Sequence, residues 1–336
     1  MRTMNETSTP VLLAEPPQAE APAAEKADRA LGRFLKVGVV VLALALAGVG
    51  VLYFLDQRAP AAPSIVDQQI ARAEDAVRQA PNNVPARLAL GVLYQDKNRP
   101  DDALAQYGEV LKVAPGNTDA RLGKGYILLQ RSDLAGATAE YVAITGTNRT
   151  GEFAGADTRL EAAYYYLGVI AVQQQQPAKA LDQLGLALRI SPTDSDALYQ
   201  VALAQAQLNK HAVAIATLRK ALSFVPTGWC TPYAQMATSF TALGQPEEAS
   251  YSQAMLLYCS HKPTEAKTQL EGLAGGPAGL DAMLGLGLIA QVDKDTDAAI
   301  GWYRKALAKD PKNITAMSGL AALGVAPDSA GPKGKK

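Results

Sequence analysis

The chain repeats a short pattern every 34 residues, and this period constrains the fold more than any other feature. A leucine-glycine pair, or valine-alanine in one unit, is followed by an alanine twelve residues after its second member. A proline follows twelve residues after that alanine. Four segments share this register, at residues 84–117, 161–194, 195–228 and 280–313. Such a period indicates an array, in which each unit buries its apolar face by stacking on its neighbours.

The residue types within one unit predict two antiparallel helices. In residues 84–117, the small Gly91 and Ala103 allow two helices to approach closely, while the bulky Tyr107 recurs at helical spacing. Pro115 ends the second helix, because proline lacks the amide hydrogen that a helix interior needs. The pattern therefore predicts a helical hairpin per unit and an all-α fold.

The spacing resembles the tetratricopeptide repeat (TPR), which is a helical hairpin of 34 residues. The resemblance covers residues 64–323 and implies an α-solenoid of about six hairpins. Polar capping helices are expected at its ends, because an exposed stacking surface would aggregate. We predict degenerate units at 118–144 and 230–274, the second with three helices, a Gly/Thr-rich loop or short turn at 145–158, and capping helices at 65–80 and 314–323.

Residues 37–55 carry no charge over 19 positions. As a helix they would measure about 28 Å, close to the ~30 Å thickness of the hydrocarbon layer. We predict a transmembrane helix over residues 34–55. One alternative is a buried core helix, but such helices are usually amphipathic or shorter. Another is a cleaved signal peptide, because Ala45-Leu46-Ala47 resembles a cleavage site, but the preceding segment is too long for one. Four basic residues precede the run and two follow it, which places the N-terminus in the cytoplasm and the rest outside the cytoplasmic membrane.

The domain organisation follows from these segments. Few large apolar side chains occur before the uncharged run, so that stretch cannot offset its ordering entropy. The predicted order is a disordered tail at 1–33, the transmembrane helix at 34–55, a linker at 56–63, the solenoid at 64–323 and a flexible basic tail at 324–336.

The composition and motifs argue against most chemical functions. Lys+Arg and Asp+Glu both number 32, which does not favour a nucleic-acid binder. Two cysteines and two histidines cannot supply a zinc ribbon or a His-rich site, and no hydrolase, Walker, metalloprotease or haem motif occurs. Cys259 and His261 suggest a ligand pair or dyad, but a helix end without further ligands is the better interpretation. We expect no enzyme, cofactor, metal or small-molecule substrate.

The two cysteines are predicted to meet. Cys230 and Cys259 fall at opposite ends of a hairpin that folds near Gly244, so both reach its open end. A disulfide there would need an oxidising compartment, in agreement with the predicted topology. The alternative is a pair of buried free thiols.

The TPR resemblance implies that the first helices of successive units line a groove for an extended peptide or a partner's helix. Family members that hold acidic C-terminal peptides use Lys, Arg and Asn on inner first-helix positions. The matching positions here are apolar or tyrosine, so such a ligand is not expected. The alternative for each residue is packing against the next hairpin. The predicted groove residues are Leu88, Val92, Leu122, Tyr126, Tyr165, Val169, Tyr199 and Leu203.

These features predict a membrane-anchored scaffold or adaptor that binds a protein or peptide outside the cytoplasmic membrane. One alternative is an assembly factor for exported proteins, such as those in cytochrome c maturation. Another is an accessory subunit of a membrane enzyme or secretion complex. A third is a homo-oligomeric envelope protein, because Ala43 and Ala47 form one small-xxx-small pair.

Overall fold

The structure, a computed structural model, describes residues 38–51, 53–54, 64–147, 157–225 and 228–326. It divides into two compact units, Met1–Ser64 and Ile65–Lys336. The tail predicted at 1–33 and the linker predicted at 56–63 lie outside the described residues, as do residues 327–336 of the predicted basic tail.

The first unit contains one described helix, α1, over residues 38–51, with residues 53 and 54 also helical. Its apolar side chains are exposed, among them Val39 and Leu44. Val37, Leu52 and Leu55 of the predicted span lie outside the described residues. Within the described ranges, no helix is both long enough and apolar enough to cross a membrane.

The described residues of the second unit form fifteen helices and no strand, which confirms an all-helical array of hairpins. Six hairpins pair α3 with α4, α5 with α6, α7 with α8, α9 with α10, α11 with α12, and α14 with α15. Their bounds are α2 Ile65–Gln79, α3 Val84–Asp96, α4 Pro100–Val113, α5 Thr118–Gln130, α6 Leu134–Thr147, α7 Thr158–Gln173, α8 Pro177–Ile190, α9 Ser195–Gln207, α10 His211–Phe224, α11 Thr231–Ala242, α12 Pro246–Cys259, α13 Pro263–Leu273, α14 Gly279–Val292, α15 Thr296–Lys309 and α16 Ile314–Ala322.

The insertion predicted at 145–158 is shorter than expected at both ends. Helix α6 continues through Thr147, where buried Ile144 holds its last turn against the core and the Thr145 hydroxyl donates to the Val142 carbonyl. Helix α7 begins at Thr158, because the Asp157 carboxylate accepts hydrogen bonds from backbone amides of its first turn. Residues 148–156 between them lie outside the described part of the chain.

The turn inside each hairpin has the same backbone conformation. The fifteenth residue of each unit adopts a left-handed φ, which reverses the chain between the two helices. His261, between α12 and α13, has the same conformation, with φ of 59°. Helix α12 is therefore the second helix of one hairpin and the first helix of another, with α13, which explains the three helices predicted at 230–274. The six residues at the regular turns are Asn98, Ser132, Gln175, Asn209, Gly244 and Lys294.

Adjacent hairpins pack through a large side chain on the second helix. The Tyr107 ring on α4 fits between Gly91 on α3 and Gly123 on α5. A Cβ atom added at either glycine would lie 2.6 or 2.5 Å from that ring, so only glycine allows this approach. The Tyr107 hydroxyl donates to the Gln95 side-chain oxygen at 3.2 Å.

Candidate functional site

The first helices α3, α5, α7, α9 and α11 form one continuous face of the second unit. Helix α3 contacts α5, α5 contacts α7, α7 contacts α9, and α9 contacts α11. Among the described residues, successive second helices make no comparably close contact. The array therefore curves with its first helices on the inside, and we call this surface the first-helix face.

The eight predicted groove residues all lie on first helices, with different degrees of burial. Five of them are half-buried and also pack against hairpin cores, namely Leu88, Leu122, Tyr165, Tyr199 and Leu203. Tyr126 and Val169 are half-buried, whereas the Val92 side chain is 51% exposed. Most of these residues therefore contribute to packing and keep part of their surface on the first-helix face.

Aromatic rings meet at the middle of this face, between α5 and α7. The Tyr166 ring lies edge-on to Tyr126, with ring centroids 5.9 Å apart, and stacks on Tyr141 at 5.1 Å. Tyr165 lies edge-on to Tyr166 at 5.1 Å. Tyr164, which precedes these two residues on α7, is buried. Two of three consecutive tyrosines therefore keep partly exposed rings on this face.

A second aromatic pair continues the face toward α11. Tyr199 lies edge-on to Trp229, with ring centroids 5.8 Å apart. Trp229 directly precedes Cys230, which is bonded to Cys259 with sulfur atoms 2.10 Å and Cα atoms 5.8 Å apart. The bond joins the start of α11 to the last residue of α12. It therefore fixes the chain next to the tryptophan, and Cys259 is not available as a ligand or nucleophile beside His261.

The charges near these rings are unevenly distributed. On α5, Arg121 and Lys124 both bind the carboxylate of Glu140, at 2.6 and 2.7 Å. On α7, burial and the neighbouring Asp194 carboxylate raise the pKa of Glu161 to about 7. Burial, followed by Asp194, also raises the pKa of Asp196. The basic groups near α5 are thus neutralised, whereas the carboxyl groups beside α7 and α9 crowd one another.

Family models for tetratricopeptide repeats match three parts of the chain. One model matches residues 88–147 and 251–314, and a second matches residues 196–227. The chain contains tetratricopeptide repeats. The match over 251–314 begins inside α12, in agreement with the role of α12 as the first helix of a hairpin. No curated protein sequence matches the chain significantly.

Several solved structures are similar to this chain at low sequence identity. PilW, described as a widely conserved type IV pilus biogenesis factor, has a TM-score of 0.52 and 21% identity, over 61% of this chain and 90% of PilW. MamA has a TM-score of 0.45 and 21% identity, over 54% of this chain and 94% of its own. YrrB, a TPR protein with an unusual peptide-binding site, has a TM-score of 0.45 and 16% identity, over 59% and 97% of the two chains. The PilW likeness shows the fold of this TPR array.

Sequence reasoning missed several residues that the TPR packing brings to the groove. Tyr166 occupies the position that Gly123 holds in the preceding unit, so a unit-by-unit comparison of glycine positions would have found it. Trp229 could have been found from its neighbour Cys230, which was already placed at the open end of a hairpin. The pairing of Glu161 with Asp194 across two helices carried no signal in the local sequence.

Proposed function

We propose that the TPR array is a protein-interaction module that binds a polypeptide segment along the first-helix face. The observation that carries this proposal is the series of partly exposed aromatic rings on successive first helices, at Tyr126, Tyr166 and Tyr199. Tyrosine and tryptophan are enriched at binding hot spots, since they offer large contact areas at low entropic cost. We expect no catalytic activity of the chain itself.

We further propose that residues 34–55 anchor the chain in the cytoplasmic membrane and that the TPR array lies outside it. The uncharged run and the basic residues before it support this topology. The bond between Cys230 and Cys259 supports it too, because disulfides persist in oxidising compartments. A scaffold or assembly factor for exported proteins is the role that fits this placement.

Peptide selection on the full-length protein tests the binding proposal. Random dodecapeptides displayed on phage would be selected against the detergent-solubilised wild-type chain, and the selected peptides would be measured by fluorescence anisotropy. We expect Tyr165→Ala and Tyr199→Ala each to weaken binding by roughly 1–3 kcal/mol. The control is Trp302→Ala, because Trp302 is a half-buried aromatic residue on a second helix.

The outcome separates a binding surface from a packing surface. Retention of the far-ultraviolet circular dichroism spectrum, with loss of affinity only in the two tyrosine variants, supports the proposal. Equal losses in all three variants, or selection that yields no binding peptide, contradicts it. The topology is tested separately by adding protease to spheroplasts, which should degrade the TPR array if it is extracytoplasmic.

A further inference from the structure

One aspartate on the first-helix face lacks the basic partner that its equivalents have. Asp119, Asp196 and Asp281 each occupy the second position of their 34-residue unit. Asp119 forms an ion pair with Arg159 at 2.5 Å, and Asp281 forms one with Arg219. No described basic side chain forms an ion pair with Asp196. The same position is thus neutralised within the chain in two units and left negative in the third.

Two further carboxyl groups lie near Asp196. Asp194 caps α9, accepting hydrogen bonds from the amides of Asp196 and Ala197 at 2.9 and 3.1 Å. Glu161 lies beside Asp194, and its buried Oε1 atom has no hydrogen-bond partner among the described residues. A buried carboxylate oxygen without a donor is costly, and an incoming donor would satisfy it.

Aromatic residues lie near this carboxyl group. Tyr165 packs against the core cluster that contains Ala197, the residue that follows Asp196, and the Tyr166 ring lies 5.1 Å from the ring of Tyr165. Beside them is an open cavity of about 570 Å³, within the usual size of ligand pockets. The residues that line it are Ser195, Asp196, Val225, Gly228 and Trp229.

The protein places cations on aromatic rings at other sites. The Arg99 guanidinium lies 4.3 Å from the centroid of the Tyr94 ring, and the Lys305 ammonium lies 3.8 Å from that of Trp302. Rings combined with carboxylates attract a cation through both the ring quadrupole and direct charge. Around Asp196 the rings and carboxylates are present, and none of the described residues supplies a cation.

We infer that Asp196, with Glu161, Asp194 and the rings of Tyr165, Tyr166 and Trp229, binds an arginine or lysine side chain of the partner polypeptide. This inference rests on the proposed function, because it names the chemistry of one residue in the bound segment. The partner's cation takes the place that Arg159 and Arg219 hold at Asp119 and Asp281.

The peptides selected on the full-length wild-type chain provide the probe. We expect one position in their alignment to be enriched in arginine or lysine. For the tightest arginine peptide, replacement of that arginine by citrulline, which keeps the shape and removes the charge, should weaken binding about tenfold. Asp196→Asn should weaken the arginine peptide by a similar factor and leave the citrulline peptide unchanged. The matched control is Asp119→Asn, which should change the affinity less than twofold.

The possible results distinguish this inference from the proposed function. Peptides that require Tyr165 and Tyr199 but show no basic position would overturn the inference and leave the function standing. Equal weakening by Asp196→Asn and Asp119→Asn would also overturn it, because a diffuse charge effect would then suffice. Failure to select any peptide would overturn both. A tenfold loss confined to Asp196→Asn and to the arginine peptide would support it.

Discussion

Two junctions between neighbouring hairpins use the same tyrosine position in different ways. At the Tyr107 junction, the ring of Tyr107 lies between Gly91 and Gly123, and its hydroxyl donates to Gln95. At the Tyr141 junction, the ring of Tyr141 lies between Gly125 and Tyr166. The Tyr141 side chain is 0% exposed, and its hydroxyl has no hydrogen-bond partner among the described residues. The first junction is closed by a glycine, and the second by an aromatic ring.

The difference shows where the array departs from efficient packing. The closed arrangement recurs at the C-terminal end, where Tyr303 lies between Gly287 and Gly319 and donates to Gln291 at 2.9 Å. Three features change at the Tyr141 junction: glycine becomes Tyr166, the glutamine acceptor becomes Leu129, and a hydroxyl is left without a partner. These changes make the packing less regular and place a ring on the first-helix face. Such departures from regular packing are common where a surface serves binding.

The largest predicted effect shows which of the two junctions contributes more to the free energy of unfolding. Tyr107→Ala should lower the free energy of unfolding of the adjoining hairpins by about 3–5 kcal/mol, because the side chain is only 2% exposed and leaves a cavity. Tyr166→Ala should cost less, since its ring is partly exposed. Hydrogen exchange of α3–α5 and α6–α7 amides measures both effects. A greater loss of unfolding free energy in Tyr166→Ala would show that the Tyr141 junction stabilises the array more than the Tyr107 junction does.

The next effect concerns the disulfide beside the aromatic end of the face. A bridge that closes about 30 residues contributes roughly 3 kcal/mol on the loop-entropy model, so Cys230→Ser/Cys259→Ser should destabilise α11 and α12 by about that amount. The Tyr107 junction should keep its protection, because each repeat contacts only its neighbours. Hydrogen exchange with and without a dithiol reductant measures this locality. Equal loss of protection throughout the array would show that the junctions are coupled.

The sequence predicts the architecture well because the repeat encodes it several times. The Leu-Gly, alanine and proline positions define four of the hairpins, the caps at α2 and α16 agree with their predicted bounds within one residue, and α13 is the third helix predicted at 230–274. The sequence places the end of α6 too early, because threonine is common in turns. In the structure the Thr145 hydroxyl donates a hydrogen bond to a carbonyl within the helix. Local composition cannot reveal such a continuation, which depends on the packing of Ile144.

The candidate site is less predictable, because it depends on contacts between units. First-helix positions such as Tyr165 and Tyr199 follow from the register, but their partial burial depends on the neighbouring hairpin. The isolation of Asp196 emerges only when it is compared with the ion pairs of Asp119 and Asp281, whose partners lie 40 and 62 residues away. Separations of that size are set by the stacking of hairpins and leave no local pattern.

A smaller effect compares the two hydroxyl groups directly. Tyr107→Phe should destabilise the protein by about 1 kcal/mol, because Gln95 loses its donor. Tyr141→Phe should be neutral or slightly stabilising, since it removes a buried hydroxyl that has no partner. The two variants differ from the wild type by the same single atom, and urea denaturation of each gives the comparison. A larger loss for Tyr141→Phe would mean that its hydroxyl is satisfied by bound water.

The last effect is the pH dependence of stability at the carboxyl groups beside Tyr166. The folded state raises the pKa of Glu161 from 4.5 to about 7, through burial and then Asp194, so it binds the proton more tightly than the unfolded chain does. The resulting stabilisation is complete below pH 4.5 and is lost as the pH rises through about 7. The groups near Glu161 are Asp194 and Tyr166. Glu161→Gln remains neutral at every pH, so its urea midpoint should exceed that of the wild type at pH 8 and approach it at pH 4.5.

The control is Glu109→Gln. Because Lys112 lowers the pKa of Glu109, the wild type should have the higher urea midpoint than this variant at pH 8. A wild-type chain that becomes more stable than Glu161→Gln between pH 5 and 8 would show that a cation within the chain already neutralises this site.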